Sequence, residues 1–115
     1  MSKDLAERIR AGRRFTITAG GVEYRCRRPT DFEAISLQQR IEADGAPAIC
    51  AQFIEGWSLT EMALIGEGDD QHEVSVSPEL VTEWLSDHAA DAFAILTRLV
   101  DEYRKRMDAL ADAGN

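Results

Sequence analysis

Two short runs alternate apolar and polar residues on either side of a glycine pair: Phe15-Thr16-Ile17-Thr18, then Gly20-Gly21, then Val22-Glu23-Tyr24-Arg25-Cys26. A period of two around Gly-Gly is the signature of a β-hairpin. An isolated hairpin is marginal in water, so its apolar face (Phe15, Ile17, Val22, Tyr24 and Cys26) must be covered by helices or by further sheet. That need dictates the job of the remaining residues. With 115 residues the chain has material for one core and no more.

Most of the rest carries the spacing of helices. Asp4 to Arg10 places Leu5 and Ile9 four apart before Gly12, a short helix or N-terminal arm over residues 1–13. Pro29-Thr30-Asp31-Phe32-Glu33 opens a second helix, with Thr30 as N-cap and Glu33 completing a capping box. Phe32, Ile35, Leu37 and Ile41 are expected to form its apolar side. After Gly45-Ala46-Pro47, the spacing of Ile49, Phe53 and Trp57 predicts a helix from Ala48 to Trp57, with Gly56 at a tight end or a close backbone approach. Ser58-Leu59-Thr60-Glu61 reads as another capping box, and residues 66–71 as loop. Ser77-Pro78 begins a helix whose stripe is Leu80, Val81, Trp84 and Leu85. Asp87 is expected to cap the last helix, in which Phe93, Leu96, Val100, Tyr103, Met107 and Leu110 follow heptad spacing, with Ile95 and Leu99 widening the stripe. The fold class expected is therefore α+β, mainly α-helical, with an N-terminal β-hairpin followed by four or five helices around one core. A single domain over 14–112 would end in a frayed tail at 113–115.

Charge divides the chain unevenly. Nine of the 13 basic residues lie at or before Arg40 with five acids, and the remainder holds 16 acids with four basic residues. Between Glu67 and Asp91 stand eight acids and no Lys or Arg. Such a block is ordinarily a solvated face, and it also attracts a basic surface, so head-to-tail association into a homo-oligomer is the sharper expectation. A net charge of −8 argues against binding nucleic acid, whose phosphates are met by Lys and Arg. Cys26 and Cys50 are too few for a disulfide framework, which points to a reducing compartment. The first residues lack the apolar stretch of a signal peptide and no run is long enough to span a bilayer, so a cytoplasmic chain away from membranes is expected.

Catalytic motifs are missing. The sequence has no phosphate loop, no nucleophile elbow and no histidine pair at zinc spacing, so no enzyme activity, cofactor or metal is expected. His72 and His88 stand beside acids and turns and read as surface histidines, and Asp69-Asp70 as ordinary polar loop. Phe53, Trp57 and Trp84 are heavy enough to be core residues. The last helix is different: Tyr103, Met107 and Leu110 continue its apolar stripe beyond what a small core needs, which marks them as candidate partner-binding residues.

The order of these features resembles that of the tail assembly chaperones of long-tailed bacteriophages. The residues that carry the likeness are Tyr24-Arg25-Cys26-Arg27-Arg28-Pro29-Thr30-Asp31, then Phe53-Ile54-Glu55-Gly56-Trp57, an acidic loop, Ser77-Pro78-Glu79-Leu80 and Trp84-Leu85, over about residues 14–107. The resemblance implies a small helical protein without enzymatic activity. It would coat the tape measure protein, keep it soluble and help recruit tail tube protein in the host bacterial cytoplasm, leaving before the virion is complete. The alternatives are a structural tail or head-tail connector component, which would stay in the particle, and an acidic antitoxin or regulatory protein that covers a basic partner.

Overall fold

The computed structural model describes residues 2–114, with side chains from residue 4 onward. The hairpin forms as its period requires. β1 (Arg14–Ala19) and β2 (Val22–Arg27) pair antiparallel from Arg14↔Arg27 to Ala19↔Val22. Gly20 and Gly21 make the turn with φ of 57° and 80°, the left-handed values a two-residue hairpin loop demands. Along β2, Val22, Tyr24 and Cys26 face the core.

The sheet has a third member that the periodicity of Ile49, Phe53 and Trp57 concealed. α3 (Ala46–Phe53) stops at Phe53, and Ile54–Trp57 continues as β3, antiparallel to β2 with Tyr24 opposite Trp57 and Cys26 opposite Ile54. The expected helix from Ala48 to Trp57 is thus too long at its C-terminal end and starts two residues late. Local sequence favours the change, because β-branched Ile54 and Gly56 are poor helix formers. The free edge of β2 then supplies hydrogen bonds that no isolated segment could find. The close approach expected at Gly56 is present: a Cβ there would lie 2.8 Å from Nε of Arg25, whose guanidinium crosses the strand to the Trp57 carbonyl at 3.0 Å and Glu73 at 2.9 Å.

Six helices complete the described residues: α1 (Ser2–Ala11), α2 (Asp31–Asp44), α3, α4 (Glu61–Ile65), α5 (Pro78–Ser86) and α6 (Ala89–Ala113). The α+β class, with a hairpin followed by five helices, is as the sequence predicts. At α2 the capping box is complete: the Thr30 hydroxyl accepts from the Glu33 amide at 3.2 Å, and the Glu33 carboxylate accepts from the Thr30 amide at 2.9 Å. Ser77 caps α5 in the same way through the Leu80 amide. Two other expected caps move. Thr60 rather than Ser58 caps α4, because the Ser58 hydroxyl is taken by the Glu23 amide on the hairpin. Asp87 closes α5, and α6 starts after His88, which makes no side-chain cap bond. At the far end α6 includes Ala113, expected in the tail, and Asn115 lies outside the described residues.

One cluster of buried side chains joins these elements. Tyr24, Trp57 and Phe53 are fully enclosed with Ile49, Leu85, Ile95 and Leu99, so Phe53 and Trp57 are core residues as expected. Cys26 and Cys50 are small buried hydrophobes, and burial pushes both thiols up to about 12. Three polar groups thread the core. The Tyr24 hydroxyl donates to Asp91 Oδ2 at 2.6 Å and accepts from Trp84 Nε1 at 3.0 Å, tying the sheet to α6 and α5. Burial, and then the carboxylate of Asp91, hold the phenol well above its usual range. Among the described residues no buried side-chain nitrogen or oxygen lacks a partner.

Replacing Tyr24 by Phe keeps the shape but strands the Asp91 carboxylate and the Trp84 indole; the expected loss is about 1–3 kcal/mol in urea denaturation. A second expectation concerns acid. Hydrogen bonds from Arg27 at 2.8 and 3.0 Å, reinforced by the Thr30 amide, hold the Glu33 carboxyl down to about 2. A depressed folded-state value gives stability that is present above about 4.5 and lost as pH falls towards 2. Glu33→Gln should therefore cost about 1–2 kcal/mol at neutral pH and flatten the fall in stability across that window, read by denaturation at stepped pH.

Candidate functional site

Helix α6 contains 25 residues, about 37 Å at 1.5 Å per residue, and only its first half has a core to face. Asp91, Ala92, Ile95 and Leu99 are its buried positions. The heptad reading placed Phe93 on the packing stripe, but at 100° per residue it lies about 160° from Ile95, and it is exposed. Past Leu99 the helix runs on for about 21 Å to Ala113. Tyr103, Met107 and Leu110 stand about 40°, 80° and 20° round the helix from Leu99, so the side that packs inward earlier is carried on beyond the core. Met107 and Leu110 are 44% and 53% exposed and Tyr103 is half-buried.

Tyr103 is not alone. It lines an apolar groove of about 250 Å³ between α6 and α2, with Val100 and Arg104 on one wall and Ala34, Leu37, Gln38 and Ile41 on the other. Pro29 closes one end. The Tyr103 hydroxyl donates to Asp31 Oδ1 at 3.1 Å, which fixes the ring across the first turn of α2. Arg106 reaches the other oxygen of Asp31 at 4.0 Å. The groove is smaller than the roughly 300–1,000 Å³ of small-molecule pockets, and its shape is that of a seat between two helices. Met107 and Leu110 do not line it; they stand about one and two turns further along α6.

The α2 wall was only half legible. Leu37 and Ile41 turn inward, whereas Phe32 and Ile35 are 87% and 80% exposed on the opposite side, about 140° and 160° round the helix from Leu37. The expected apolar side therefore splits into two faces. One packs on the domain and builds the groove, and the other is open to solvent. Ala34 and Gln38, which complete the groove, carry no hydrophobic signal strong enough to have been singled out.

The remaining polar sites are occupied by their own neighbours. His72 Nδ1 lies 2.8 Å from Asp69 Oδ2 on an exposed loop, where Asp69 also accepts from the Gln71 and His72 amides, so the pair closes a turn. His88 stacks on Trp84 with ring centroids 3.7 Å apart. A polar hollow of about 430 Å³ beside the open end of the hairpin is lined by Arg10, Arg13, Arg27, Thr30, Glu33 and Glu55; Arg27 already holds Glu33, and Arg14 holds Glu55 at 3.2 Å. No group of three or more His, Cys, Asp or Glu side chains able to hold a metal is found among the described residues.

The chain matches no family model, no curated protein and no solved structure. No helix among the described residues is long and apolar enough to cross a membrane.

The two faces of α2 should separate in stability measurements. Leu37→Ala is expected to cost about 2–5 kcal/mol in urea denaturation, and Phe32→Ser to stay within about 0.5 kcal/mol of the parent.

Proposed function

We propose that this protein is a tail assembly chaperone of a long-tailed bacteriophage or prophage, and that the α2–α6 groove with Tyr103, Met107 and Leu110 is its seat for helical segments of the tape measure protein. The observation that carries the reading is the 21 Å of α6 beyond Leu99, which keeps apolar residues on the inward side while their cover falls away, from half-buried Tyr103 to Met107 and Leu110 at 44% and 53% exposed. A long helix with apolar stripes aggregates unless those stripes are buried, and an apolar groove between two helices is the geometry that buries them.

The composition fits the same task. A net charge of −8 would keep a coated filament soluble and its copies apart from other proteins. Holding a helix needs neither nucleotide nor metal, only a site of moderate affinity that tail tube protein can displace. On this reading the protein works in the host cytoplasm and is absent from the finished virion, whereas a structural tail or connector component would be found in purified particles by mass spectrometry.

Co-expression with a candidate tape measure protein tests the claim. Met107→Asp and Leu110→Asp should abolish co-purification while leaving the melting temperature within a degree or two, because both side chains are about half exposed. Undiminished co-purification would remove the far turns of α6 from the binding surface. A large fall in melting temperature would assign the two residues to the core instead.

A further inference from the structure

The groove between α2 and α6 has a charge as well as a shape. Arg28 directly precedes Pro29, which closes one end, and its Nη1 donates to the Pro29 carbonyl at 3.0 Å. The Arg28 amide donates to the Arg13 carbonyl at 2.8 Å, which brings the start of the hairpin to the same place. From α6, the guanidinium of Arg106 stands 4.0 Å from Asp31. All three arginines are half-buried. Burial first, then Arg106 and Arg13 beside it, lower the Arg28 guanidinium below its ordinary value, so like charges are gathered at this point.

Little opposes them. Among the described residues, Arg13, Arg28 and Arg104 on the α6 wall of the groove form no ion pair. Asp31 is the one acid that Arg106 meets, and its other oxygen already accepts from the Tyr103 hydroxyl at 3.1 Å. Elsewhere arginines are matched: Arg14 with Glu55, Arg25 with Glu73, Arg27 with Glu33. The far half of α6 sorts its charges the same way. Arg106 lies about 20° round the helix from Leu99, whereas Asp101, Asp108 and Asp112 lie about 160°, 180° and 140° away. Glu102 is engaged by Arg98 and Lys105 at 2.9 and 3.6 Å. In a chain of net charge −8, the end of this apolar groove is locally positive. Charges are screened over about 8 Å at physiological ionic strength, so a segment lying in the groove meets the cluster rather than the total.

We propose that the groove selects helical segments whose apolar stripe is flanked by Asp or Glu, with Arg28 and Arg106 making the principal contacts and Arg13 and Arg104 adding to the field. The selection rests on the reading of this groove as a helix seat, and adds which helices it takes. Half-buried guanidiniums hold carboxylates more firmly than exposed ones, because solvent screens them less. A nucleic acid fits less well, since apolar walls give a phosphate backbone nothing to pair with.

Fluorescence anisotropy with the full chain and three labelled peptides provides the test. The peptides share one leucine stripe at helical spacing, flanked by Glu, by Gln or by Lys. The Glu peptide should bind about tenfold more tightly than the Gln peptide at about 50 mM salt and less than about twofold more tightly at about 500 mM, with the Lys peptide weakest. The Arg28→Gln/Arg106→Gln double variant should erase the preference and leave the Gln peptide's affinity within about twofold, with circular dichroism confirming the parent fold. Arg106→Gln alone should reduce the preference to about threefold, and serves if the double variant loses the fold. Arg8→Gln, on α1, should retain it in full. Equal binding of all three peptides overturns the selection and leaves the helix seat standing, whereas binding of none overturns both. A preference that survives the double variant, tightest binding of the Lys peptide, or displacement of the Glu peptide by a short DNA duplex also overturns the selection.

Discussion

The hydroxyl of Tyr24 is where the architecture is tied together. It donates a hydrogen bond to Asp91 at the start of α6 and accepts one from Trp84 on α5, joining positions 67 and 60 residues away in the chain. A three-stranded sheet this small cannot hold helices by area alone, and the buried chain of hydrogen bonds adds a directional constraint that apolar packing lacks. Asp91 serves both sides of the contact. It meets the phenol, and it lies so close to the hairpin turn that only glycine fits at Gly20. Sheet, turn and helix are therefore set at one point. Once the first turns of α6 are anchored there, the direction of the remaining helix is determined, and its far half projects along the line the anchor gives it.

Features whose signals are local were legible in the sequence. The hairpin around Gly20-Gly21, the Thr30–Glu33 capping box and the Ser77-Pro78 helix start each depend on residues within a few positions of one another, and each forms as read. Features settled by distant partners were not. Ile54–Trp57 fits either a helix or a strand in isolation, and the choice is made by the free edge of β2. Phe32 and Ile35 look as apolar as Leu37, and which side of α2 turns inward depends on where α3 and α6 lie. The candidate site shows the same division. Tyr103, Met107 and Leu110 stand out because α6 outruns its core, a matter of length alone. The opposing wall of the groove needs Ala34 and Gln38, whose role exists only after two helices have been set side by side.

The same structure explains why opposite charges can coexist on so small a body without cancelling. The basic residues of the N-terminal part engage acids at the open end of the hairpin: Arg27 with Glu33, Arg14 with Glu55. Glu73, between α4 and α5, is held by Arg25, whereas Glu83 and Asp87 on α5 find no such partner among the described contacts, since the stretch from Glu67 to Asp91 contains no Lys or Arg. An unneutralised acidic rim around apolar side chains is unfavourable to leave in place for stability alone.

In the proposed role, holding a filament and later surrendering it would set conflicting demands, and modest grooves resolve them better than deep ones. A seat of about 250 Å³ gives a single copy little affinity, since ordering and desolvation offset much of what so small an area contributes. A homo-oligomer of the kind the charge pattern leads one to expect would present such seats in series, and each successive contact would then be made at a high effective concentration. The array could grip a long helix firmly while every individual contact stayed weak. Displacement would need to break only one seat at a time, beginning at an end. A partner that packs on the tape measure progressively, as tail tube subunits do in the proposed role, would meet a small barrier at each step instead of one large barrier for the whole.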